Sequence, residues 1–442
     1  MDKKQVVICG FNIDVLKTYP DNYCHSIVTD APYGLGKEPD ANIVLQEWLV
    51  RGYHEVEGVG FMGNKWDAFV PQPIFWKEVF RVLKHGGYVL CFFGNRTYDW
   101  GVMAMRIAGF EIRDQMQWIY STGFPKSQDV GKNIEKAYET ENETNDWIGW
   151  SSYLKPASEP IVIARKPLEK GLTLMENVLK HGTGAINIDA CRTKTNELIE
   201  NHSRGKESAE SKGIYGDSIE QETFQTDGQK LGRYPTNILF SHHEDCKCLG
   251  METIKGSNSR PQDIGKGRDG AFTNGIYGAM ESKVSSSYVN EGGFENIEKW
   301  ECHQDCAIGV LNTQSNKEGI TGAASRFFYC TKASRSERDL GLEKLYKDKT
   351  KILNVHPTVK PVSVMLWLVK LVTPKNGICI DPFGGSGTTG IASKILDTEC
   401  IIIDNVKEYC DIAEARIDEW EVEAQNTISY VKESKLQLKL EL

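Results

Sequence analysis

The run Asp381-Pro382-Phe383-Gly384-Gly385-Ser386-Gly387-Thr388-Thr389 carries the first chemical signal of the sequence. It follows a strand-like stretch and opens a helical one. Its glycines let the backbone approach a ligand closely, and the helix N-terminus turns unpaired N–H groups toward it. The run lacks the Gly-Lys-Ser/Thr ending of a phosphate-binding loop, and its spacing is not the dinucleotide fingerprint. Seventeen residues after Gly387 the next strand ends on Asp404, where an acid can accept hydrogen bonds from ribose hydroxyls. The pair describes a site for an adenosine-bearing cofactor whose polar end is not a triphosphate.

A second cluster is Asp30-Ala31-Pro32-Tyr33-Gly34, at the end of the apolar run 25–30. An acid, a carbonyl held extended by the following proline, and an aromatic ring suit a planar ring bearing an amino group. Asp30 and the Ala31 carbonyl can accept both hydrogens of an exocyclic –NH₂ while Tyr33 covers the ring face.

With His356-Pro357-Thr358, Lys360 and Pro361 just before the glycine-rich run, the chain resembles the S-adenosylmethionine-dependent DNA amino-methyltransferases, which methylate adenine N6 or cytosine N4. The motif order, catalytic first and cofactor last, is similar to their β group, in which a target recognition region lies between the two. The resemblance covers about residues 6–168 and 350–420. It implies that Asp381, Phe383, Gly384, Gly385, Ser386, Gly387 and Thr388 bind the cofactor, that Asp404 holds its ribose, and that Thr358 and Lys360 lie near its methionine carboxylate. Asp30, Ala31, Pro32 and Tyr33 fall on the catalytic motif. Ala31 replaces the usual first proline, a small change because a main-chain carbonyl carries the role. Phe11 stands where many members have an acid near the cofactor adenine, which leaves Asn12 and Asp14 as candidate substitutes.

The chemistry so implied needs little acid–base apparatus. An exocyclic amine lends its lone pair to the ring, and accepting hydrogen bonds from its N–H groups favours the tetrahedral nitrogen of the transition state. Asp30 is then an orienting group and proton acceptor. A base inside a duplex must flip out to reach such a pocket. The segment 118–127, with Trp118 and Phe124, is a candidate second aromatic wall. Adenine N6 is preferred to cytosine N4, and the different-class alternative is an inactive methyltransferase-fold zinc protein that binds DNA.

A third constellation is metal-like. His242-His243-Glu244-Asp245-Cys246-Lys247-Cys248 is followed, over fifty residues later, by Cys302-His303-Gln304-Asp305-Cys306. Tetrahedral zinc takes four nitrogen or sulfur ligands, commonly as two close pairs. The favoured set, helped by similar inserts in the family, is His242, Cys246, Cys302 and Cys306 around a structural zinc, with Cys248 and His243 in reserve. The other eight cysteines sit singly in apolar contexts, where a thiol usually acts as a small buried hydrophobe.

The elements that must position these groups follow from periodicity. Residues 1–168 alternate strands and helices: strands at 5–9, 25–30, 88–93, 112–120 and 160–165, and helices over 74–84 and near 98–108. Residues 169–349 form an insert rich in Gly, Ser and charged residues, with turn signals at 265–267 and 292–293. From 350 the α/β pattern returns, with a helix begun at Pro361, strands at 377–381 and 400–404, a helix through 391–396 and an acidic helix from 406 to about 420; residues 426–442 form a tail. The expected fold is a doubly wound, mostly parallel α/β sheet carrying a loop-rich, zinc-containing insert.

Composition bounds the rest. The 442 residues include 61 acidic and 52 basic ones, for a formal charge of −9, and 40% are hydrophobic without an apolar run long enough to span a membrane. The N-terminus has no secretory pattern, so a cytoplasmic location is expected, and the family resemblance implies a bacterial, archaeal or phage-infected cell. Mild acidity means that any DNA surface is local. Lys255, Arg260, Lys266, Arg268, Arg326, Lys332, Arg335 and Arg338 are candidate phosphate contacts. The expected partner is double-stranded DNA, with no membrane; a homodimer and a companion restriction nuclease are left open.

Overall fold

The computed structural model describes residues 4–60, 63, 65–121, 123, 127–138, 146–195, 201–202, 223–255, 294–317, 324–332, 335–346 and 354–423. Phe124, Arg260, Lys266, Arg268, the turn signals at 265–267 and 292–293, and the tail lie outside them. They divide into two compact units, one of Met1–Asn187, Asn237–Glu244 and Thr331–Leu442, the other of Ile188–Thr236 and Asp245–Cys330.

Besides a two-residue antiparallel pair at Asn201–His202 and Thr223–Phe224, the strands among the described residues are β1 (Gln5–Cys9), β2 (Cys24–Asp30), β3 (Leu83–Phe92), β4 (Glu111–Ile119), β5 (Ser158–Arg165), β6 (Ile238–His242), β7 (Lys247–Lys255), β8 (Phe294–Glu301), β9 (Tyr329–Lys332), β10 (Ile378–Asp381) and β11 (Glu399–Asp404). Nine of them form one sheet in the order β1-β11-β10-β2-β3-β5-β4-β6-β9. The pairs β1–β11, β11–β10, β10–β2, β2–β3 and β4–β6 are parallel, and β5 runs antiparallel to both its neighbours. This is the doubly wound, mostly parallel α/β sheet that the alternation of patterns predicts.

Both faces of the sheet are covered. Along β3 the side chains alternate. Val89, Cys91 and Phe93 join a core with Phe75, Trp76, Val79 and Val82 from the helix Pro73–Val82, while Leu90 and Phe92 are buried out of register with that cluster. The helix Val362–Val372 is apolar on nearly every side, with Val364, Leu368 and Val369 fully enclosed, and packs on the helix Thr388–Ile395. A helix apolar all round must be internal.

One boundary differs from the periodic expectation. The helix of 74–84 stops at Val82, and the strand starts at Leu83 rather than Tyr88, with Gly86 and Gly87 inside it. Gly86 sits at φ +80°, and a Cβ there would lie 2.5 Å from Nδ2 of Asn177, so the glycine pair serves close packing rather than a turn. A register shift between Cys24 and Ser26 absorbs the irregularity. No disulfide joins any of the twelve cysteines, all of which lie among the described residues. Cys9, expected in the core, is exposed on the edge strand β1.

In the second unit β7 and β8 pair antiparallel, with a bulge at Lys299–Trp300. No helix among the described residues is long and apolar enough to cross a membrane.

Candidate functional site

The carboxyl ends of β1, β2, β10 and β11 meet at one cleft, the place where open α/β sheets bind ligands. It encloses about 1050 Å³ including its open mouth, and its wall includes Gly10, Phe11, Asn12, Asp30, Pro32, Tyr33, Phe383 and Asp404. The two motifs, some 350 residues apart in sequence, are tied together beside this cavity: the Thr29 hydroxyl donates to Asp381 Oδ1 at 2.6 Å.

The glycine-rich turn is fixed by contacts that tolerate no side chain. A Cβ on Gly384 would stand 2.1 Å from Cγ2 of Ile402, and one on Gly385, at φ +48°, would stand 2.6 Å from Nε2 of His356. Pro382 and Phe383 form the cavity wall, and Gly384 to Thr388 turn from there into the helix Thr388–Ile395. Beneath the turn, the buried Arg416 donates to Ser386 O at 2.5 Å, Ser386 Oγ at 3.0 Å and Thr388 Oγ1 at 3.2 Å. Burial lowers this guanidinium to about 10.

Asp404 accepts from Gly385 N–H and Val406 N–H, each at 2.9 Å, and still faces the cavity. Each carboxylate oxygen keeps a further lone pair for a hydroxyl. Asp381 turns inward instead. Its oxygens take the Thr29 and Thr389 hydroxyls, at 2.6 and 2.5 Å, and the Phe383 N–H at 3.2 Å, and burial raises the carboxyl to about 6. It braces the turn from behind.

At the other end of the cleft, Asp67 Oδ1 accepts the N–H groups of Tyr33 at 3.0 Å and Gly34 at 3.1 Å, and Thr97 Oγ1 donates to the Tyr33 carbonyl. Gly34 has φ +66°, and a Cβ there would lie 2.8 Å from Val70 N. These bonds hold Asp30 to Tyr33 in one shape. Asp30 Oδ2 meets the ammonium of Lys360 at 2.5 Å; Oδ1 is buried and has no hydrogen-bond partner among the described residues. An orphaned carboxylate oxygen beside a cavity is an acceptor awaiting a donor.

Lys360 lies beside Asp30, with its Nζ 3.3 Å from Glu159 Oε2 and 3.2 Å from the Tyr33 hydroxyl oxygen. Its Nζ stands 4.9 Å from the centre of the Phe92 ring and 6.0 Å from that of Trp118. Burial would lower its pKa, but the Asp30 and Glu159 carboxylates outweigh burial and hold it above the ordinary lysine value. Glu159 also accepts the Tyr33 hydroxyl at 2.7 Å and the Tyr120 hydroxyl at 3.1 Å. Tyr33 is pushed well above the usual tyrosine range by burial and by the Asp30 and Glu159 charges.

Thr358, Pro357 and His356 line the cavity mouth. His356 packs edge-on against Tyr409, and burial, helped by the charges of Lys360, Arg416 and Arg338, lowers it to about 4. Asp14 does not line the cleft; it pairs with Lys17 on an exposed helix face. No local spacing marks Asp67, Glu159 or Arg416 as site residues, whereas Tyr120 lies in the 118–127 segment put forward as a second aromatic wall. Each reaches the site only through the sheet order.

In the second unit, ligand atoms of Cys246, Cys302 and Cys306 lie within 4.8 Å of one another, and His303 N–H donates to Cys246 Sγ at 3.3 Å. A Cβ on Gly309 would lie 2.6 Å from that of Cys302, so the helix Ala307–Lys317 approaches the cluster through a glycine. Three sulfurs so close suit a thiophilic ion such as zinc. Cys248 is exposed on β7, and His242 is buried at the end of β6 in the first unit.

A sheet with helices on both faces, a glycine turn and an acid at its carboxyl edge, and an acidic–aromatic tetrapeptide opposite them define a methyltransferase-type α/β fold. Residues 24–415 match the DNA methylase family of N6- and N4-methyltransferases, and the chain belongs to it. It is 30% identical over 204 residues to the type II methyltransferase M.HindIII of Haemophilus influenzae, which covers 41% of this chain and 65% of that one. It is 38% identical over 81 residues to the type II methyltransferase M2.LlaDCHI of Lactococcus lactis subsp. cremoris, 18% of this chain and 30% of that one. The chain thus spans less than two thirds of either curated relative. Among solved structures, the PvuII DNA methyltransferase, cytosine-N4-specific, aligns with 94% of this chain and 86% of its own at 12% identity and a TM-score of 0.40.

Proposed function

We propose that this chain transfers a methyl group from S-adenosylmethionine to the exocyclic amine of a base flipped out of double-stranded DNA at a specific sequence, with adenine N6 as the target and cytosine N4 as the alternative. The observation that carries the reading is the buried, unpartnered Oδ1 of Asp30, a residue that lines the same cleft as Asp404 and Phe383.

The residues fit the cofactor. Asp404 supplies acceptors for ribose hydroxyls, the exposed ring of Phe11 offers an apolar face to the adenine, and Thr358 and Phe383 line the same cleft. When bound, S-adenosylmethionine supplies an electrophilic methyl carried on a sulfonium. Asp30 Oδ1 accepts one N–H of the target amine and the Ala31 carbonyl the other, which directs the nitrogen lone pair toward the methyl. Pro32 keeps that carbonyl extended. Tyr33 covers the base, recovering part of the few kcal/mol spent on unstacking it. The proton released from the methylated nitrogen passes to Asp30 and on to water. The cluster of Cys246, Cys302 and Cys306 holds a structural zinc.

The test is to incubate the protein with duplex DNA and S-adenosylmethionine, digest the DNA to nucleosides and weigh the modified base. N6-methyladenine is expected. Asp30→Ala should lower transfer by at least about a hundredfold, roughly 2.7 kcal/mol, with cofactor affinity nearly unchanged. Wild-type protein that binds cofactor but methylates no DNA, or an Asp30→Ala variant within tenfold of wild type, would overturn the proposal.

A further inference from the structure

Glu159 belongs to neither motif, yet its carboxylate touches three members of the site: the Tyr33 hydroxyl at 2.7 Å, the Tyr120 hydroxyl at 3.1 Å and the Lys360 ammonium at 3.3 Å. Lys360 poses an electrostatic problem that Glu159 solves. The ammonium is 2.5 Å from Asp30 and buried, so by itself it cancels the charge of the one carboxylate that faces the target amine. A neutral Asp30–Lys360 pair would offer little to a ligand that arrives with a fixed positive charge, because in a poorly solvated site opposite charges a few ångströms apart screen each other. With Glu159 included, two carboxylates stand against one ammonium and the cluster carries a net −1.

We propose that Glu159 is a positioning and charge-setting residue: it holds Lys360 and Tyr33 in place and restores net negative charge behind Asp30, so that the cleft favours a cationic sulfonium over a neutral thioether. The inference rests on the cofactor reading given above. Asp67 and Asp404 line the same cleft and add to its field, so losing Glu159 shifts the preference without reversing it. Lys360 must act in the opposite sense. Its ammonium fixes Asp30 through Oδ2 and leaves Oδ1 without a partner, at the expense of part of the negative field.

The test needs no catalysis. Calorimetry on the full chain gives the affinities for S-adenosylmethionine, whose sulfonium is cationic, and for S-adenosylhomocysteine, whose thioether is neutral and which otherwise makes the same contacts. Glu159→Gln keeps the shape and removes the charge, and should weaken the cationic ligand relative to the neutral one by about threefold to tenfold. Lys360→Met should move the same ratio the other way, and Glu159→Asp should leave it near the wild-type value. A variant that merely loosens the fold weakens both ligands together and leaves the ratio alone. Ratios unmoved in both Glu159→Gln and Lys360→Met, or moved in the same direction, would overturn the inference while leaving the cofactor reading intact. Wild-type protein that binds neither compound would overturn the cofactor reading itself.

Discussion

Replacing Gly384 by alanine tests the cofactor turn at its tightest point. The new Cβ would lie 2.1 Å from Cγ2 of Ile402, whereas non-bonded carbons rest at about 3.5–4.0 Å, so one of the two must retreat by roughly 1.5 Å. Ile402 is fully buried in β11, paired with Asp381 on one side and Val7 on the other, and cannot move without disturbing the sheet. The turn is the softer partner, but it is tied by the Gly384 N–H to Ile403 O bond at 2.8 Å. Overpacking of this kind costs about 1–3 kcal/mol, and a lost buried hydrogen bond adds about 1 kcal/mol. The expected destabilisation is therefore roughly 2–4 kcal/mol, read as a lower urea midpoint, with a loss of S-adenosylmethionine affinity of at least tenfold by calorimetry as Phe383 leaves the wall. Ile402→Ala removes Cγ2, so the double variant should recover much of the affinity lost in Gly384→Ala despite the cavity it creates. A Gly384→Ala protein with wild-type midpoint and affinity would refute the packing argument.

Other perturbations probe other parts of the site. Arg416→Ala leaves the buried Ser386 carbonyl and the Glu337 carbonyl without their donor, and should lose about 3 kcal/mol of stability together with cofactor affinity; an unchanged urea midpoint would contradict the clamp. His356 is neutral in the folded protein because burial lowers it to about 4 from 6.5. Above pH 6.5 its ring is neutral folded or unfolded; as pH falls toward 4 the unfolded chain takes up the proton first, so stability should drop by at most roughly 3 kcal/mol across that window. His356→Gln should flatten this part of the pH–stability curve, and an identical acid limb in the variant would exclude the assignment. Elemental analysis should find about one zinc per chain, lost in Cys302→Ser along with the stability of the second unit, while cofactor binding persists. Metal-free wild-type protein of normal stability would reduce the cluster to three neighbouring thiols.

The sequence by itself determined what depends on neighbours in the chain. The strand–glycine turn–helix around Gly384, the strand ending on Asp404 and the rigid Asp30–Tyr33 unit are all encoded within about ten residues each, because backbone permissiveness at glycine, proline's fixed φ and hydrophobic period are local properties. The alternation of strands and helices then required a doubly wound sheet with its site at the carboxyl edge. The helix boundary near 82 was less legible, since Leu83 continues the apolar period while Gly86 and Gly87 mimic a turn, and only packing against Asn177 shows why they belong to a strand. What the tertiary structure alone decided is who meets Asp30. Lys360 lies 330 residues away and Glu159 is 126 residues from Tyr33, and neither pairing leaves a periodic trace. Sheet order brings the end of β2 beside the Lys360 segment and within reach of β5, and the burial of that junction makes the resulting charge pairing count. A carboxylate's identity is written in the sequence, but the field it works in is set by charges that folding carries to it from elsewhere in the chain.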